Sequence, residues 1–421
     1  MVREIVPSTH QIDVPPRTGA SERVSQFLGR HPWTLLLGLL PAVPAIFLGY
    51  GTDIDSSGVR EAGRSLFRGE YAISRPPGAF VHEAATAILD RLGGPIATNL
   101  SSLLAGAVVL WTLASLLRRA GARHPELAAL VLAGNPYFVV AASSLADHLW
   151  AIAFLLTGID AFQRRRPGLA GILWALAISC RMATGVLVFV YLGAELLLDR
   201  RSKRPVCIAG LVAGLLGALA FVPAWLSVGR SADFLENSFG TPSLLNLVGR
   251  SAVKQQLFFG LPFLVLVVVA APRIFGGLRE RLRRPLVLFA VVGAVASELI
   301  YLRLPWKFAH LLPLLVCVVI IIGTSKTLKP AWLIALAVAQ LSWGLVAVRI
   351  VAPDVPNAAT TARIDLAIVY GPLVTDVRCR VDQRLSGPLD DTSFDRAAAA
   401  YECSNRWAFD DDPTAPIGAG P

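Results

Sequence analysis

The sequence predicts an all-α polytopic membrane protein with about eleven transmembrane helices. Three observations predict it. Only 16 % of the 421 residues are charged while 54 % are hydrophobic, whereas a soluble domain carries about 25 % charged residues. Apolar runs near the ~20 residues that a bilayer core requires recur along the chain. The basic residues fall in short clusters between those runs, as membrane topology demands. The formal charge of +10 therefore does not point to nucleic acid, and no basic patch interleaved with aromatics of the RNA-binding kind occurs.

Residues 1–31 are polar, too long for the n-region of an ordinary signal peptide, and no small-residue cleavage site follows the first apolar run. They are expected to form a cytoplasmic N-terminal segment ahead of a retained first helix. Apolar segments follow at 32–50, 96–117, 126–145, 147–162, 168–181, 184–198, 205–227, 257–271, 285–302, 308–323 and 331–350. The stretch 168–198 is long for one span and short for two. The basic clusters decide it. Arg118-Arg119, Arg164 to Arg166, Arg200 to Arg204, Arg279 to Arg284, and Lys326 with Lys329 all fall on the cytoplasmic side if two short helices meet at Arg181. The transmembrane domain then spans 32–350, in the plasma (inner) membrane. Its first external loop is 51–95, a further loop covers 228–256, and an external tail covers 351–421. That tail is too short for a large domain, and its end from Asp410 has the composition of a disordered segment.

Cys180, Cys207 and Cys317 lie in or beside apolar runs, where a thiol packs as a small hydrophobe. Cys379 and Cys403 lie in the tail. An oxidising exterior allows a disulfide between them; two free thiols are the alternative. None of the five has zinc-site spacing.

The first external loop is the most informative polar stretch. Val59, Ala62, Leu66 and Phe67 recur on one face after Asp55, with Arg60, Glu61, Arg64 and Arg68 on the other. That spacing predicts a short amphipathic helix lying in the interface. Ser74-Arg75-Pro76-Pro77-Gly78 is a rigid turn. A second amphipathic segment follows, with His82, Glu83, Asp90 and Arg91 on its polar side. Asp53 and Asp55 thus sit where the first helix leaves the membrane. A carboxylate there can take a proton from an acceptor hydroxyl. The pair can instead hold a divalent cation such as Mg or Mn, or merely cap the following helix.

These residues resemble the GT-C glycosyltransferases, and most closely the protein O-mannosyltransferase and aminoarabinose-transferase branch, which uses polyprenyl-phosphate sugars as donors. The resemblance rests on Asp55 with its hydrophobic frame and Arg-Pro-Pro-Gly at 75–78, then Asn135-Pro136-Tyr137, Asp147-His148-Leu149-Trp150, Arg181, and Leu304 to Pro313. Ser56 stands where that branch often has Glu, and Val59 where it usually has Tyr. The resemblance implies that Asp55 is the catalytic base, with Asp53 and Asp147 beside it. It implies that Arg181, Lys307 and His310, with Arg303, receive the donor phosphate, Lys307 and His310 sharing a helical face. Arg75 and Glu83 would line the acceptor side of the loop, and the 228–256 loop with Asp233, Glu236 and Asn237 would shape it. Glu298 could pair with one of the cations.

The function this implies is transfer of a sugar, with inversion, to a hydroxyl on a glycan, lipid or protein at the external face. A transporter or flippase for a polyprenyl-linked or anionic lipid is the competing class, and a non-catalytic donor-binding scaffold a third. The absence of matched broken helices in the two halves argues against a secondary transporter, and a flippase needs no carboxylate pair on an amphipathic shelf.

Overall fold

The computed structural model describes residues 19–52, 54–229, 244–303, 307–351 and 365–385. The chain opens with α1 (Ala20–Arg30) and two 3-10 segments, Pro32–Ala42 and Pro44–Phe47. The expected first helix over 32–50 is therefore not an α-helix. Pro41 and Pro44 lack the N–H that an α-helical ladder needs, and the tighter winding accommodates them. Next come α2 (Ile54–Phe67), the helix read from its amphipathic spacing, and α3 (Phe80–Arg119). The second amphipathic segment and the following span are fused in α3. Gly93 and Gly94 break its helical dihedrals just ahead of Pro95, so the two halves join at a kink.

The expected span 126–145 is α4 (Pro125–Ala133) and α5 (Pro136–Ala142), bent by 77° at Asn135-Pro136. Asn135 caps the second piece, accepting from the N–H groups of Tyr137 and Phe138. Then α6 (His148–Gln163), α7 (Pro167–Cys180) and α8 (Thr184–Leu198) follow, with the break at Arg181 that the charge pattern required. After these come α9 (Lys203–Ala220), α10 (Val222–Ser227), α11 (Leu244–Phe259), α12 (Leu261–Phe275), α13 (Leu278–Arg281), α14 (Pro285–Arg303), α15 (Leu312–Gly323) and α16 (Pro330–Leu345). Much of the expected 228–256 loop is thus helix α11, while Asp233, Glu236 and Asn237 lie outside the described residues.

By length and composition, α3, the continuous stretch Lys203–Ser227 and α14 can each cross a bilayer. The bent pairs α4–α5 and α11–α12 raise the number among the described residues to five. The other expected spans are apolar helices of 10–17 residues, shorter than the ~20 residues of a full crossing.

The last expected span stops at Leu345. Val346–Val351 (β1) leaves the helix as a strand and pairs antiparallel with Asp365–Tyr370 (β2), Val346 opposite Tyr370. The hairpin leads into α17 (Pro372–Leu385), so this part of the tail is built structure. Cys379 is disulfide-bonded, Cys180, Cys207 and Cys317 are free thiols, and Cys403 lies outside the described residues.

The core is helix on helix. Phe162, Trp174, Tyr191 and Phe289 pack in a row, stacked, then tilted, then edge-on, with centroids 5.7–5.8 Å apart from each ring to the next. Trp174 donates its indole N–H to Leu155 O at 3.2 Å, which settles the one polar atom it buries. The basic clusters gather at one end of the bundle. There Arg119 pairs with Asp160, Arg118 with Glu126 at 2.6 Å, Arg284 donates to Ala120 O, and Arg281 donates to Ile321 O at 2.9 Å. Helices α3, α6 and α14 each run between this end and the opposite one, where the polar loop residues collect.

Candidate active site

The site is assembled from five separate pieces of chain. The first is the stretch leading into α2. Leu145 N–H donates to Tyr50 O at 2.8 Å, and Ser56 Oγ donates to Leu145 O at 3.2 Å. Segment 50–56 is therefore zipped to segment 143–147. Gly51 makes the contact possible: its φ is +116°, and a Cβ there would stand 2.6 Å from the Ser144 Cβ. This joint brings Asp55, in the first turn of α2, beside Asp147, at the start of α6.

The third piece is the Ser74–Gly78 turn. Glu83, fully buried on α3, accepts from the Tyr71 hydroxyl, from Ser74 N–H at 3.2 Å and from the Ser74 hydroxyl. Its carboxylate is used in holding the loop, a different task from the acceptor-side role expected. The Tyr71 phenol is raised well above its ordinary pKa by burial and by the Glu83 charge, so it stays a donor. The turn so fixed aims Arg75 between the two aspartates. One Arg75 nitrogen lies 2.7 Å from Asp55 Oδ2, and the other pairs with Asp147 Oδ2.

The fourth piece is the break between α7 and α8. Arg181 there lies 2.7 Å from Asp147 Oδ1 and 2.9 Å from His148 Nε2. The fifth is the stretch after α14. Lys307 Nζ stands 2.6 Å from Asp55 Oδ1, and His310, in the following 3-10 turn, has its ring 5.6 Å from that of His148. The result is an alternating chain: Lys307, Asp55, Arg75, Asp147, Arg181, then His148 and His310.

Asp147 does not cap α6 with its side chain. Only 1 % of that side chain is exposed, and both oxygens go to arginines, which settles a charge that burial would otherwise make costly. The cations are different. Arg75, Arg181 and Lys307 keep 22 %, 18 % and 21 % of their side chains exposed. Burial pushes the Asp55 carboxyl up, but Arg75 and Lys307 together hold it well below the ordinary 3.8. Asp147 is likewise held far down against its burial, by Arg181 and then Arg75.

Two of the expected residues stand apart, and a third is not among the described ones. Arg303 ends α14 with an exposed side chain and makes no hydrogen bond or ion pair among the described residues. Asp53 lies outside the described residues. Glu298 accepts from Gln255 at 2.6 Å rather than pairing with a site cation. No group of three or more His, Cys, Asp or Glu placed to hold a metal occurs among the described residues. Both Asp55 oxygens face positive side chains, so the described residues do not fit a divalent cation.

Two residues escaped the sequence reading. His148 was visible only as the neighbour of Asp147. His82 is fully buried with its ring edge-on to Trp150 at 5.4 Å, and neither ring nitrogen has a hydrogen-bond partner among the described residues. A histidine on an amphipathic segment gave no signal of that burial.

The fold is that of a predominantly helical, multi-pass membrane protein, with this five-piece charged assembly at one end of the bundle. Among solved structures the chain is similar to ArnT from Cupriavidus metallidurans bound to undecaprenyl phosphate, with a TM-score of 0.55, 15 % identity, and coverage of 90 % of this chain and 75 % of that one. It is also similar to the same protein in the apo state, with a TM-score of 0.50, 16 % identity, and coverage of 92 % and 75 %. At this identity the likeness is one of fold. No family model matches the chain, and no curated protein matches it by sequence.

Proposed function

We propose that the chain is a membrane glycosyltransferase that moves a sugar from a polyprenyl-phosphate donor to an acceptor hydroxyl, with inversion. The observation that carries this is the alternating chain itself: a reachable carboxylate, Asp55, held between two cations that a phosphate can claim, in a fold like that of a protein solved with undecaprenyl phosphate.

The donor phosphate docks on Lys307 and Arg181, with His310 alongside. Lys307 passes from Asp55 to the phosphate, which leaves Asp55 with Arg75. Asp55 removes the proton from the acceptor hydroxyl, and the hydroxyl oxygen forms its bond to C1. The bond from C1 to the phosphate oxygen breaks on the opposite face. Its electron pair stays on the polyprenyl phosphate, which the cations stabilise as it leaves. Asp147 does not meet substrate in this scheme; it orients Arg75 and Arg181. The topology that suits the reaction places the basic end and the N-terminus in the cytoplasm, and the site and C-terminus outside the inner membrane. The acceptor is a glycan, lipid or protein, and nucleic acid has no part.

The test is transfer by the purified chain in lipid nanodiscs, supplied with undecaprenyl-phosphate pentoses and hexoses. Asp55→Asn keeps the shape and loses the base, and transfer is expected to fall by about 100-fold or more, the lower range for a general base. Full transfer by this variant overturns the assignment. Lipid translocation that survives the substitution, with no transfer by the wild type, supports the flippase instead.

A further inference from the structure

Helix α17 lies against the site end of the bundle and touches both segments that carry the aspartates. Arg380 is fully buried. Its guanidinium donates to Ala45 O at 3.1 Å and Ser143 O at 2.7 Å, and its Nε ion-pairs with Asp376 Oδ2 at 2.8 Å. Asp376 in turn accepts from the Thr52 hydroxyl at 2.6 Å, through its other oxygen. Thr52 lies three residues before Asp55, and Ser143 four before Asp147. The entry to α17 is fixed as well. Gly371 N–H donates to Leu345 O at 2.7 Å, and a Cβ on Gly371 would stand 2.2 Å from the Gly344 carbonyl.

A buried arginine is costly unless its donors are used. Here Nη1 is spent on carbonyls from two different segments, and Asp376 supplies the countercharge. We infer that α17 is a positioning clamp for the candidate active site: Asp376 and Arg380 fix the spacing between the 49–56 and 143–148 segments, and so the reach of Arg75 across Asp55 and Asp147. Neither residue touches the reacting groups; both act through the backbone that carries them. The inference rests on the sugar-transfer reading for its catalytic consequence, and on geometry alone for the clamp.

The experiment uses the full chain in nanodiscs. Thr52→Val removes one hydroxyl with little change of shape, and Arg380→Lys keeps the charge but loses the fork. Both are expected to raise amide hydrogen exchange in 49–56 and 143–148 by about fivefold, the worth of one hydrogen bond. Ser325→Ala, which deletes a part-buried hydrogen bond to Arg273 O at the other end of the bundle, should leave exchange in 49–56 and 143–148 unchanged. With an undecaprenyl-phosphate sugar that is turned over, kcat should fall about tenfold while KM for that donor stays within about twofold, because misplacement acts on the reacting geometry. Unchanged exchange in both segments overturns the clamp. So does raised exchange with kcat unmoved. Absence of transfer by the wild type overturns the transfer reading instead, and the clamp is then decided by exchange alone.

Discussion

At the scale of single residues, the central fact is that Asp55 rests between Arg75 and Lys307. Their charges hold its carboxyl low, so the ion pairs survive mild acid. A lowered folded pKa contributes stability above the ordinary value of 3.8, and that contribution is lost as pH falls below it toward the folded value. In the proposed reaction the same charges set how Asp55 works as a base. Lys307→Gln removes one cation and leaves burial less opposed, so the Asp55 pKa should rise. The acid limb of the pH–rate profile then moves to higher pH, by about one unit for a partly exposed pair. An acid limb that stays in place would show that Lys307 does not bear on the base. Sequence spacing could supply the members of this cluster but not the pairings. Arg75 reaches across 72 residues to Asp147, and nothing local announces that. Arg303 misled for a physical reason. It is near Lys307 in sequence, but it ends α14 while Lys307 begins a different 3-10 turn, so no helical spacing relates them.

At the scale of elements, the apolar runs and the proline positions carried most of the information. The break at Arg181 was legible because charge on both sides demanded two helices. The first run was misjudged because hydropathy counts apolar residues and is blind to Pro41 and Pro44 within them. The packing of α7 was not legible at all. Gly171 lets α7 approach α9 so closely that a Cβ would stand 2.6 Å from the Val212 Cβ and 2.7 Å from Ala209 O. Backbone-close contacts of this kind are how membrane helices associate. Gly171→Ala should therefore destabilise the protein by about 1–3 kcal/mol, the usual cost of overpacking. Gly168→Ala, one turn away and open to space, should not. Thermal midpoints of the two variants in the same nanodisc decide it, and equal midpoints would contradict the close approach.

At the scale of the whole molecule, the chain separates two kinds of charge. Arginines that hold helix ends together occupy one pole, and the aspartate–arginine chain occupies the other. That polarity was readable from the basic clusters, whereas the contribution of the tail was not, since only the folded chain brings Asp376 and Arg380 back across the bundle. The predicted topology has a direct check. In a variant with Cys207 replaced, single cysteines at Arg165 and at Glu70 should label from opposite sides of intact cells with a membrane-impermeant thiol reagent. Labelling of both from the same side would refute the topology.

The alternating chain also has an electroneutrality consequence. Three cations facing two carboxylates leave one surplus positive charge. A sugar phosphodiester brings one negative charge and cancels it. After transfer in the proposed reaction, a proton rests on Asp55 and the surplus becomes two, which matches the dianion of a phosphate monoester, whose second pKa is about 6. Departure of the spent carrier is then linked to the fate of that proton: leaving together, carrier and proton restore the starting charge, and neither can go alone without stranding an unbalanced ion at the membrane surface.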